Sequence, residues 1–177
     1  MKKIVLLLCV IVFGVACESE SDTIETKLYT CLMNSLSQEE TEKVTTIMSD
    51  YEAYLIENNI LASSSAESYW NIYKEFAETT LSDFNNEFDF NNKISFLNNK
   101  DPEELQGLMD CHFAIFETEA YKQSYMNTIK KEMESMDYKY KENPKVIASM
   151  VIKYMTPKDF EEAYNRFNTL LFIERYR

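Results

Sequence analysis

The near absence of glycine and the placement of proline constrain the fold of this chain more than any other feature. The chain has 177 residues and two glycines, of which only Gly107 lies beyond the N-terminal segment. Proline is tolerated at the first helical position, because its missing N–H would have had no partner there. Each of the three prolines follows a side chain that can cap a helix, in the pairs Asp101-Pro102, Asn143-Pro144 and Thr156-Pro157. The prolines therefore predict helix starts.

Apolar residues recur at the three- and four-residue spacing of helices that bury one face. Segments of this kind begin near Ile24, Val44, Tyr69, Leu105, Tyr125, Val146 and Phe160. In the segment after Pro102 we expect a core stripe of Leu105, Leu108, Met109, His112, Ile115 and Phe116. The pattern predicts an all-α fold, a single helical bundle of about seven helices over residues 24–177.

Residues 81–100 are the least helical part of the pattern, since six asparagines stand there among four phenylalanines. Asparagine favours turns because its side chain competes for backbone hydrogen bonds. We expect a helix end and then a loop that binds a partner through Phe84, Phe88, Phe90 and Phe96. The alternative is a loop that these phenylalanines hold against the core.

Residues 1–16 have the layout of a secretion signal. Lys2 and Lys3 precede an uncharged apolar run over residues 4–15, which ends in small side chains. The run is shorter than the about 20 residues that a membrane-spanning helix needs. We therefore expect this segment to be cleaved after export.

The stretch Gly14-Val15-Ala16-Cys17 resembles the lipobox of bacterial lipoproteins, although Gly14 stands where leucine is usual. The resemblance implies that Cys17 carries palmitate-type acyl chains, becomes the first mature residue and anchors the protein in a membrane. The resemblance covers the signal alone. An ordinary secretion signal with an incidental cysteine is the alternative.

Residues 17–23 form an acidic tether between the anchor and the domain. Glu18, Glu20 and Asp22 resemble the export tag that some Gram-negative lineages place after the acylated cysteine. This resemblance implies the outer membrane, with the cell surface favoured over the periplasm. The alternative is a solvated flexible linker that carries no export information.

The negative charge of the chain limits the classes of partner that it can bind. The net charge of the whole chain is −12, and the mature part is more negative because the signal holds two lysines and no acid. Such a charge disfavours nucleic acid, whose phosphates need clustered Lys and Arg, and we expect no nucleic-acid partner. It also disfavours anionic lipid headgroups and suits solubility, a basic partner or cations.

Cys31 and Cys111 remain once the cysteine in the signal and Cys17 are set aside. An even number of cysteines in an oxidising compartment favours a disulfide between Cys31 and Cys111. Two buried free thiols are the alternative.

Catalytic and metal-binding patterns are weak in this sequence. The single histidine, His112, stands beside Cys111, but adjacent helical residues point about 100° apart and do not face each other. One histidine and two separated cysteines do not make a zinc site. Phe88 occupies the glycine position of the calcium-loop-like spacing that begins at Asp83. We expect no enzyme, no metal and no cofactor.

These features predict a non-enzymatic, membrane-anchored lipoprotein that acts as a cell-envelope or cell-surface interaction module. Its partner would be a protein or an envelope polymer, bound through an exposed apolar patch. The first alternative is a carrier or sensor of a small apolar ligand, in a cavity lined by methionine and aromatic side chains. The second is a hydrolase, with a cleft of carboxylates of raised pKa near His112.

Overall fold

The computed structural model describes residues 22–78 and 86–176. Regular secondary structure within these ranges is helical, which confirms the predicted all-α class. The signal, Cys17, most of the acidic tether and Phe84 lie outside the described residues. The described α-helices are α1 (Ile24–Asn34), α2 (Gln38–Glu57), α3 (Ala66–Glu78), α4 (Phe90–Lys93), α5 (Pro102–Phe116), α6 (Glu119–Lys122), α7 (Tyr125–Ser135), α8 (Tyr138–Lys141), α9 (Pro144–Tyr154) and α10 (Ala163–Tyr176).

Side-chain caps begin several helices where the sequence predicted starts. The Ser37 hydroxyl accepts the N–H of Glu40, and the Glu40 carboxylate accepts the N–H of Ser37, at 3.2 and 2.8 Å. Asp101 accepts the N–H groups of the second and third residues of α5 at 3.0 and 2.8 Å. Asn143 accepts one N–H of α9 at 3.0 Å. Each such cap is worth about 1 kcal/mol of stability.

The helix start predicted at Pro157 and the helical segment predicted from Phe160 do not form one unbroken helix. A short 3-10 helix, Pro157–Glu161, comes first, and α10 begins only at Ala163. Side chains explain the break. The carbonyl of Asp159 accepts from the side chain of Asn165 at 2.6 Å, and that of Phe160 from Arg166 at 2.7 Å. These carbonyls are therefore satisfied without a continuing helix.

The main core forms where α3 packs against α9, α10 and the 3-10 helix Pro157–Glu161. The rings of Phe76 and Phe172 lie 4.6 Å apart, and the buried Tyr73 hydroxyl is 3.3 Å from the hydroxyl oxygen of Thr169. The largest side chains that are almost fully buried are Tyr51, Tyr69, Phe76, Phe90 and Phe160. Aromatic residues thus supply most of the volume of this core.

A second, smaller core joins α1 to α5 around Leu28, Cys31 and Ile115. Within the described residues, α1 packs on α5 and on α10, whereas α5 has its principal contacts with α1 and α6. The helix α5 is therefore attached to the bundle along one side.

Polar contacts near the two ends of α10 show where the tether leaves the domain. Thr26, in the first turn of α1, donates to Glu162 just before α10 at 2.9 Å. Arg175, in the last turn of α10, pairs with Glu142 just after α8 at 3.2 Å. The helix between these contacts spans about 20 Å. The tether therefore joins the domain near the first residues of α10.

Candidate functional site

The three described phenylalanines of the set expected to bind a partner pack instead on the bundle. The Phe90 ring is fully buried and stacks on Tyr51 with a centroid distance of 4.6 Å. Phe88 is half-buried and lies 4.9 Å from the same tyrosine ring. Phe96, also half-buried, lies 4.2 Å below the ammonium group of Lys43. The described part of residues 81–100 is thus held against the core, which corrects the expectation of a free aromatic loop.

An exposed apolar surface lies on α5 instead. Leu105, Met109 and Phe113 have exposed fractions of 37%, 49% and 55%, and they follow one another at four-residue intervals. We call these three side chains the α5 stripe. The expectation that Leu105 and Met109 belong to the core is wrong, because a different face of α5 packs on α1. On that side Ile115 is buried and Leu108 is half-buried.

Acidic residues flank the α5 stripe. Glu103, Glu104 and Asp110 are exposed on the same helix, and Pro102–Phe116 contains no Lys or Arg. Lys100, just before the helix, lies 2.6 Å from Glu40 and 3.6 Å from Glu104. Among the described residues, Glu103 and Asp110 form no ion pair, so the border of the α5 stripe is negatively charged.

A disulfide joins α5 to α1. Cys31 and Cys111 are bonded, with their Cα atoms 5.9 Å apart, and they are 80 positions apart in sequence. The neighbouring His112 is half-buried, and its Nε2 lies 3.4 Å from the carbonyl oxygen of Leu28. Because the Cys111 sulfur is bonded, it is not the free thiol that a cysteine–histidine nucleophile pair requires.

A cavity of about 300 Å³ lies where α1, α5, α6, α7 and α10 meet, at the tether end of the domain. We call it the tyrosine cavity. Three tyrosines and a phenylalanine form much of its wall, and the rings of Phe116 and Tyr121 lie 4.7 Å apart. Its lining comprises Leu28, Phe116, Tyr121, Tyr125, Met126, Ile129, Met155, Tyr164, Asn165 and Asn168.

A buried carboxylate lies behind this wall. Glu25 is only 8% exposed, and it accepts a hydrogen bond from the hydroxyl of Tyr125. The same hydroxyl accepts from the amide of Asn165 at 3.1 Å. Within the described part of the chain, no Lys, Arg or His forms an ion pair with Glu25.

The tyrosine hydroxyls of the cavity stay protonated. Burial raises the pKa of Tyr125, and its hydrogen bond to Glu25 raises that pKa further. Burial also raises the pKa of Tyr164, and the negative charge of Glu25 adds to the increase. Both phenols are therefore neutral at physiological pH, and the negative charge in this region comes from carboxylates.

The sequence of α5 hints at an exposed apolar stripe, but periodicity alone does not tell which apolar residues are exposed and which are buried. Two apolar rows run along this helix, Leu108 to Ile115 and Leu105 to Phe113, whereas a helix packed on one neighbour needs only one. Glu25 has no comparable signal, since an acid in the first turn of a helix is ordinary. Its burial arises only from the way α7 and α10 close over α1.

No family model, curated protein or solved structure matches this chain. Across residues 22–78 and 86–176, no three or more His, Cys, Asp or Glu side chains are grouped as metal ligands. In the same residues no helix has the length and apolar character of a membrane span. Function is therefore inferred from the geometry of the α5 stripe and of the tyrosine cavity.

Proposed function

We propose that this chain is a membrane-anchored lipoprotein that acts by binding a protein, with the α5 stripe as its contact surface. The observation that carries this proposal is the row of three large apolar side chains that α5 presents to solvent. Leaving apolar surface in water costs about 25 cal/mol per Å². Contiguous apolar surface of this kind marks interaction sites.

The charges around the stripe select the chemistry of the partner. A second copy of this chain would carry the same net charge of −12 to the acidic border of the stripe, which opposes self-association. Anionic lipid headgroups would be repelled in the same way. An apolar groove or helix face rimmed by Lys and Arg complements both the stripe and its acidic border. We therefore assign the surface to a basic, amphipathic protein segment.

A synthetic amphipathic helix with leucine on one face and lysine along its rims is the first probe of this surface. We expect it to bind the full chain in phosphatidylcholine nanodiscs, measured by fluorescence anisotropy of the labelled peptide. The triple variant Leu105→Ser, Met109→Ser, Phe113→Ser should bind about tenfold more weakly or worse, because the apolar contact is lost while every charge stays.

Two controls make this result specific. The triple variant Glu103→Gln, Glu104→Gln, Asp110→Asn should also lose affinity, and only in this variant should the dependence on salt concentration fall. A peptide with glutamate in place of lysine should not bind. Equal affinity of the wild type and the serine variant for the lysine peptide would reject the α5 stripe as the contact surface.

The membrane anchor is tested separately. Replacing Cys17 by alanine should remove acyl labelling from the protein and release it from the membrane fraction, because the remaining chain has no acyl groups to bury. Protease treatment of intact cells then tests the face of the membrane. We expect digestion of the wild type, and protection when Glu18, Glu20 and Asp22 are neutralised. Retention of labelled Cys17→Ala protein in membranes would refute acylation at this cysteine.

A further inference from the structure

We propose that the tyrosine cavity binds a small organic cation, an alkylammonium whose charged head lies against the tyrosine rings with Glu25 as its counter-charge. The alkyl part would lie against Leu28, Met126 and Ile129, which supply apolar wall. This site adjoins the α5 stripe, since the rings of Phe113 and Phe116 lie 6.4 Å apart, but it uses different side chains. It also changes the expected ligand class from a purely apolar molecule to a cationic one.

The buried carboxylate of Glu25 is the first step of the argument. A charge removed from water is normally paired with an opposite charge or neutralised, because its desolvation is otherwise uncompensated. Glu25 is only 8% exposed, and among the described residues its hydrogen-bond partner is the neutral hydroxyl of Tyr125 and not a cation. A cation bound in the adjoining cavity would supply the missing opposite charge.

The aromatic wall is the second step. Ammonium groups are attracted to the faces of aromatic rings, and cages of such rings recognise quaternary ammonium ligands. The wall already attracts one cation, since the ammonium of Lys130 lies 5.5 Å from the ring centroid of Phe116. Among the described residues, no Lys or Arg lies over the rings of Tyr121, Tyr125 or Tyr164, which leaves these rings for a ligand.

The electrostatics of the cavity disfavour an anionic ligand. No Lys, Arg or His is part of its lining. The carboxylates of Glu25 and Asp159 act on the hydroxyl of Tyr125, and that of Glu134 acts on the hydroxyl of Tyr121. An anion would therefore meet these carboxylates with no base in the lining itself, although the Lys130 ammonium lies against the Phe116 ring. The volume of about 300 Å³ is at the small end of ligand sites, which limits the ligand to a compact molecule.

Three probes with similar alkyl chains and different charges test the proposal: hexyltrimethylammonium, 1-hexanol and hexanoate. Each is titrated into the full chain in phosphatidylcholine nanodiscs, with empty nanodiscs as the blank, and the methyl resonances of Met126 and Met155 are followed. We expect saturable shifts with the ammonium, binding of the alcohol about tenfold weaker or worse, and no binding of hexanoate.

Matched variants separate the role of Glu25 from the overall charge. Glu25→Gln keeps a hydrogen-bond acceptor for Tyr125, and we expect it to weaken ammonium binding about tenfold without changing hexanol binding. Glu117→Gln removes the same charge from an exposed position beside Phe116, and should change little. Equal losses in the two variants, tighter binding of hexanol than of the ammonium, or no shift with the ammonium would each overturn the proposal.

A second variant keeps the test valid if Glu25→Gln fails to fold, as judged by circular dichroism. Tyr164→Leu leaves Glu25 in place and removes one ring of the wall. We expect it to bind hexyltrimethylammonium about fivefold more weakly and hexanol as tightly as the wild type. An unchanged affinity for the ammonium in this variant would also overturn the proposal.

Discussion

Replacing Cys111 by serine should lower the free energy of unfolding by about 4 kcal/mol. The disulfide to Cys31 spans 80 residues of sequence, so it removes many conformations from the unfolded chain. Residue 111 is exposed, and serine at that position leaves no buried hydroxyl and no cavity. Domains of this size are stable by about 5–15 kcal/mol, so the bond contributes a large part of the total.

Urea unfolding followed by circular dichroism measures this loss. Oxidised wild type should have the highest midpoint, whereas Cys111→Ser and wild type reduced with dithiothreitol should unfold at similar, lower concentrations. The double variant Cys31→Ala, Cys111→Ser controls for the thiol that the single variant leaves free. Identical midpoints for oxidised and reduced wild type would show that the bond does not stabilise the fold.

The second large effect is expected at Phe90. Replacing it by alanine should destabilise the domain by about 3–5 kcal/mol, the usual cost of removing a buried phenylalanine. Its ring is fully buried and stacks on Tyr51, so the truncation opens a cavity between α4 and α2. The same replacement at Met109, which is 49% exposed on α5, should change stability by no more than about 0.5 kcal/mol.

This pair of variants tests an exchange of roles between two parts of the chain. Periodicity predicts Met109 in the core, and the surrounding asparagines predict Phe90 in a partner-binding loop; the structure reverses both assignments. In thermal and urea unfolding, the Phe90→Ala variant should therefore be far less stable than the Met109→Ala variant. The opposite ranking would mean that the α5 stripe packs inside the domain, and it would remove the basis of the proposed interaction surface.

The helical fold was predictable because its determinants are local. Ser37, Asp101 and Asn143 each cap the helix that follows them, and these bonds involve residues two or three positions apart. Spacing of apolar residues then fixes which segments bury a face. Such features can be recognised in the sequence because they do not depend on which other helices pack nearby.

The candidate sites were not predictable in the same way, because they depend on which helices meet. Leu105 and Ile115 belong to one apolar helix, but only packing on α1 decides which of them is covered. Glu25 became buried through contacts with Tyr125, which is 100 residues away in sequence. The break before α10 likewise needed the side chains of Asn165 and Arg166 to reach back to earlier carbonyls.

The disulfide also has a mechanical consequence for a protein tethered at its N-terminus. A force applied between the tether and a partner bound to α5 would act on α1 first. It would then be transmitted to α5 through the disulfide between Cys31 and Cys111. The residues between these cysteines, which include α2, α3 and α4, lie outside that covalent route. Tension would then be borne by two short helices and one sulfur–sulfur bond, while most of the main core would stay unloaded.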